Sequence, residues 1–235
     1  MTIDPNGANR PRPVLRLWGR ALAVGLGAAV FGGLYFFIRQ FLKDGVWRFD
    51  LTLVNKALGT AALLLLTLSM LLTGVVYFSG NSRGRLAYRK YYGLIGFWLA
   101  LAHGVLNHMI LPAVGLSAES SAGTRHGEAL GLAALIVFAL MTSVSNTKAR
   151  GRMGGEPWRR FLRYAGYGGL VLSAGHAALL KGPSWAKFFG TFKPFLPSLS
   201  LPVAGLAAAA VALRVWIFIA EKRKGAKPTS ASPGL

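Results

Sequence analysis

The chain has 235 residues, of which 53% are hydrophobic and only 14% charged, and it carries a formal net charge of +20. With a mean hydropathy of +0.46, that composition excludes an ordinary soluble domain and implies a polytopic membrane protein. The absence of cysteine excludes disulfides, iron–sulfur clusters and thiolate-ligated or covalently attached haem.

Residues 1–20 are polar, basic and proline-containing, and read as a cytoplasmic tail. Six apolar runs follow, at 21–38, 52–78, 91–113, 128–146, 164–181 and 200–220, each near the ~20 residues that cross ~30 Å of hydrocarbon. The first run is short. It is kept as a span because "YFFIRQFLKDG" offers no small-residue cleavage site for a signal peptide. The loops "FSGNSRGRLAYRK" and "SNTKARGRMGGEPWRR" read as tight cytoplasmic turns. "KGPSWAKFFGTFKPFLPSLSLP", where aromatics alternate with lysines and prolines, reads as a loop lying along the outer interface. Residues 221–235 have the composition of a disordered cytoplasmic tail. The expected fold is all-α: a six-helix transmembrane bundle over 21–220 with both termini cytoplasmic, and no internal repeat.

The charge pattern sets the orientation. With the N-terminus inside, 18 Lys and Arg fall on the cytoplasmic side and 8 on the other, which is the positive-inside asymmetry of an inner-membrane protein. These loops suit anionic lipid headgroups, so the net charge does not imply nucleic acid. No carboxylate among Asp4, Asp44, Asp50, Glu119, Glu128, Glu156 and Glu221 falls in mid-span, against a carboxylate-driven transporter.

Two histidines stand out. Lys90 to His103 is 13 residues and Arg163 to His176 is also 13, so both lie about 20 Å up parallel spans at 1.5 Å per residue. A lone membrane histidine more often bonds a backbone carbonyl. Two at one depth, without a carboxylate in the span, suit the axial ligands of a haem iron held between helices. Gly104 and Gly175 flank the pair, and Gly96, Gly169, Gly93 and Gly166 lie on nearly the same faces; small residues allow close helix approach and room for a flat ring. His108, about 140° round an α-helix from His103, reads as an interfacial residue or a neighbour of such a ring's carboxylates, and His126 as a solvated one. Arg125 and Lys181 lie where the carboxylates of such a ring would reach.

The run "RKYYGLIGFWLALAH" resembles the third span of the ferric reductase-like transmembrane family, closest to the YedZ/MsrQ branch of haem-binding membrane subunits. "LGTAALLLLTLSMLLTG", "GLAALIVFALMTSVSN" and "RMGGEPWRRFLRYAGYGGLVLSAGH" resemble its neighbouring segments, so the likeness covers about 50–182. It implies a b-type haem ligated by His103 and His176, with electrons taken from quinol or a separate flavin reductase. The acceptor it implies is extracytoplasmic: a periplasmic reductase, ferric iron or oxygen. No residue is assigned a catalytic role, and oxidoreductase activity would need partners. In that family the fifth span usually carries a second, earlier histidine; here Leu162 or Arg163 stands at that position, which implies one haem rather than two. The other reading is a haem-free assembly or interaction subunit that keeps the fold. Topology is tested first: reporter fusions at residue 120 and at the C-terminus are expected to report outside and inside, respectively.

Overall fold

The computed structural model describes residues 14–79, 83–116 and 122–225, and among them every regular element is helical. Much of both basic tails, with Arg10, Arg12 and Lys227, lies outside the described residues. The helices are α1 (Val14–Asp44), α2 (Leu51–Ser79), α3 (Arg83–Val105), α4 (Ala122–Val144), α5 (Thr147–Met153), α6 (Gly155–Thr191) and α7 (Ser200–Gly225). α3 continues without a break through a π turn, Leu106–Ile110, and a last helical turn, Leu111–Ala113.

Five of these helices are long and apolar enough to cross a membrane: α1, α2, α3 with its extension, α4 and α7. The sixth expected span lies within α6, which is not among them. Its run 164–181 contains Tyr164, Tyr167, His176 and four glycines, and this dilutes its apolarity. α6 is nevertheless the longest helix, with 37 residues, about 55 Å at 1.5 Å per residue. Large apolar side chains cover the outside of the bundle, among them Leu26, Phe31, Trp98, Leu132, Ile136 and Trp216. In water such a surface would aggregate; it suits lipid.

The loop expected along the outer interface is largely helical. α6 carries on past Pro183 to Thr191, where Phe192 takes a left-handed conformation (φ 51°) and ends it. Residues 192–199 then fold back onto α1, where the Tyr35 hydroxyl donates to the Pro197 carbonyl at 2.8 Å and Arg39 Nε to the Leu196 carbonyl at 3.1 Å. Phe189, Phe192 and Phe195 remain exposed, as an interfacial aromatic belt requires.

Two helix pairs carry the core, α2 with α3 and α4 with α6. Glycines set their closeness. A Cβ on Gly96 would meet the Leu66 backbone nitrogen at 3.1 Å, and one on Gly169 would meet the Phe138 ring at 2.8 Å. One on Gly166 would meet the Met70 methyl at 2.5 Å. These glycines therefore serve helix packing, and none of the three opens space for a ring.

Contrary to the expectation of no internal repeat, one short segment recurs in equivalent helices. α2 contains Ala-Leu-Gly-Thr-Ala-Ala-Leu at 57–63, and α4 contains Ala-Leu-Gly-Leu-Ala-Ala-Leu at 129–135. Both segments hold equivalent places in their pairs.

α2 has a defined start. The Asp50 carboxylate accepts from Thr52 Oγ1 at 2.6 Å and from the Leu53 N–H at 2.9 Å, an N-cap that satisfies one of the helix's orphan donors. Partial burial pushes the Asp50 carboxyl up, but these two hydrogen bonds and the nearby Lys56 and Arg48 outweigh it and hold it below the usual carboxylate range. A lowered folded-state pKa contributes stability that is present above the unfolded pKa and is lost as pH falls through the folded one. Asp50→Ala is therefore expected to cost about 0.5–2 kcal/mol at neutral pH. Melting curves of the purified protein should show that difference shrinking in acid.

Candidate functional site: a paired-histidine cavity

His103 on α3 and His176 on α6 come together as expected. Their ring centroids are 6.2 Å apart and their planes make an angle of 75°. Both line a cavity of about 890 Å³ enclosed mainly by α1, α2, α3, α4 and α6.

Each imidazole is held in the same way by the other helix of its pair. His103 Nδ1 lies 3.0 Å from the Asn55 carbonyl oxygen and 2.7 Å from its side-chain Oδ1. His176 Nδ1 lies 2.7 Å from the Gly127 carbonyl oxygen. Both oxygens of Asn55 can only accept, because its amide nitrogen is used in donating to Asn107 Oδ1 at 3.1 Å. Each Nδ1 must then carry its proton, which leaves the lone pair of a neutral ring on Nε2. This is the arrangement by which proteins orient histidine as a metal ligand.

One turn beyond each carbonyl, on the same helix face, is a glycine against which the ring lies. A Cβ on Gly59 would stand 3.0 Å from His103 Nδ1, and one on Gly131 would stand 2.6 Å from His176 Nδ1. Gly59 and Gly131 are the central residues of the repeated segment. The same cradle, a carbonyl at one position and a glycine four residues on, is thus built twice. The spacing from carbonyl to histidine is 48 residues in one copy and 49 in the other.

His108 also lines the cavity, in keeping with the place beside a ring's carboxylates, although a 140° offset was expected to turn it away from His103's direction. That expectation assumed α geometry. The π turn over Leu106–Ile110 closes i→i+5 hydrogen bonds and so brings the residue five beyond His103 back toward its face. π turns of this kind occur often at functional sites. His126, at the start of α4, is exposed and does not line the cavity.

Part of the cavity lining is cationic. Lys181 lines the cavity, together with Arg39 and Lys56, and the three are within electrostatic reach of one another. Arg125 does not line it. Sequence reading singled out Lys181 but not Lys56 or Arg39. Asp44, Asp50 and Glu128 also contribute to the lining. No family model and no curated protein matches this sequence.

A linear imidazole–metal–imidazole axis with metal–nitrogen bonds of about 2 Å places the ring centroids roughly 6 Å apart, as found. No cluster of three or more His, Cys, Asp or Glu suited to a bare metal ion occurs among the described residues. The Gly131 cradle can be tested on its own. Gly131→Val should push the His176 ring off its carbonyl and cost about 1–2 kcal/mol. In a His176→Ala background the same change should cost distinctly less, read as a double-mutant cycle of melting temperatures.

Proposed function

We propose that the protein is a membrane electron-transfer subunit holding one b-type haem between His103 and His176, and that it resembles the ferric reductase-like proteins. The observation that carries this reading is the matched pair of imidazoles, each with Nδ1 committed to a carbonyl, at the 6.2 Å separation that two axial ligands need. In this reading α6 is the sixth span, both termini are cytoplasmic, and the cavity lies in the outer half of an inner membrane. The 18-to-8 asymmetry of basic residues supports that orientation.

The residues divide the work. Asn55 and Gly127 fix the tautomer and direction of the two ligands, and their carbonyls increase ligand basicity. Gly59 and Gly131 let the rings lie close to the helices. Arg39, Lys56 and Lys181 would take the carboxylate groups of the macrocycle. The bound haem would supply reversible one-electron chemistry within a largely apolar bundle, with potential set by its ligands and burial. Electrons would come from quinol or a separate flavin reductase and leave to an extracytoplasmic acceptor such as a periplasmic reductase or ferric iron.

All four histidines in the chain are His103, His108, His126 and His176, and none lies near Leu162 or Arg163. Haem content should therefore approach one per chain by pyridine haemochrome assay. His103→Ala and His176→Ala should each abolish or severely reduce haem binding, and His126→Ala should leave the spectrum unchanged. Colourless wild-type protein, or equal haem in the double mutant, would refute the reading.

A further inference from the structure

At the opposite end of the bundle from the paired histidines, Arg163 and Arg214 stand within electrostatic reach of Arg89, and among the described residues no carboxylate does. Arg89 on α3 is partly buried. Its guanidinium presents five N–H donors, yet among the described residues its side chain makes only a weak contact, to Met70 Sδ at 3.8 Å. The charged groups in electrostatic reach of it are Arg163 and Arg214, with the Tyr167 phenol alongside.

Packing explains why they meet. Residues 69–74 of α2 form a common floor. Ser69 Oγ donates to the Arg89 carbonyl at 2.7 Å, and the Tyr167 hydroxyl donates to the Met70 carbonyl at 3.3 Å. Gly166 faces the Met70 side chain, and Leu213, next to Arg214, packs over Gly74. Arg163 stands one turn before Tyr167 on the same face of α6. Three helices thus each bring one half-buried arginine to this end of α2, Arg163 and Arg214 within electrostatic reach of Arg89. Glu221, two turns along α7 from Arg214, is exposed and is not among the charges that reach Arg89. Collecting like charges on membrane helices is costly unless an anion neutralises them. Guanidinium is the group best shaped for bidentate phosphate binding.

We propose that Arg89, Arg163 and Arg214 form a phosphate-binding site that takes the headgroup of an anionic phospholipid. The bilayer is the favoured source because all three arginines stand on apolar helices near their basic ends, where pockets between helices recruit anionic headgroups. The site does not depend on the haem reading, since it shares no residue with the histidine cavity.

The test uses the full chain purified in detergent, delipidated and titrated with phosphatidylglycerol, cardiolipin or phosphatidylcholine. Bound lipid is read by native mass spectrometry and stabilisation by melting temperature. Anionic lipids are expected to bind selectively, and Arg163→Gln or Arg214→Gln to weaken them about fivefold each. Both positions are partly exposed, so these variants keep the test alive where Arg89→Gln does not fold. Lys187→Gln, on the far side, should change nothing. A parallel titration with inorganic phosphate separates the sources. Competition at low millimolar phosphate would keep the site but assign it to a soluble phosphoester. Equal binding of phosphatidylcholine, or binding unaffected by both variants, would overturn the proposal.

Discussion

Everything distinctive about this bundle depends on one hydrogen bond made twice: a histidine Nδ1–H given to a backbone carbonyl of the neighbouring helix, with a glycine one turn further on. A helix carbonyl is normally occupied by its own i+4 N–H, but its second lone pair is free. An imidazole can use that lone pair only if it lies nearly flat against the helix, and any Cβ at the next turn would prevent this. Asn55 with Gly59, and Gly127 with Gly131, meet both conditions. The consequence is chemical as well as steric. With Nδ1 committed, each neutral ring keeps its free lone pair on Nε2.

The repeated Ala-Leu-Gly-x-Ala-Ala-Leu segment gives this device its symmetry. In each copy the small residues around the glycine let the partner helix approach, and the leucines pack beside it. Ala57, Ala61 and Leu63 of the first copy are buried, as is Ala134 of the second. The copies are not equivalent at the histidine. Asn55 offers His103 a side-chain oxygen in addition to its carbonyl and is tied to Asn107 within the π turn. Gly127 offers His176 a carbonyl alone. One ring is thus more firmly held and more strongly polarised, so two ligands of the same kind would differ in their pull on a shared metal.

Much of this could be read from the amino acids. Long apolar runs marked the spans, and the 13-residue offsets placed His103 and His176 at one depth, because helix rise turns spacing directly into height. What sequence spacing could not give was lateral arrangement. Gly96, Gly166 and Gly169 sat on the right face for a ring but proved to be contact points for Leu66, Met70 and Phe138. The glycines that matter to the histidines stand on the partner helices, 44 or 45 residues away. The repeated heptapeptide was the available signal for them. The direction of His108 was misjudged because nothing in "VLNHMILPA" announces a π turn, although Pro112, which lacks an N–H to give the preceding turn, is a local reason for irregular bonding there. The helical end of α6 was hidden by Pro183, which reads as a breaker but is tolerated within a helix packed among others.

The same distinction separates the two ends of the molecule. At the histidine end, Arg39, Lys56 and Lys181 gather beside a cavity that also contains Asp44, Asp50 and Glu128, so local acids temper the cations there. At the other end, Arg163 and Arg214 stand within electrostatic reach of Arg89, and among the described residues no carboxylate does. Three cations at that end raise the cost of any further positive charge nearby. The proposed haem and lipid sites would divide the chain accordingly, with one redox centre toward one face and an acidic-lipid anchor at the other.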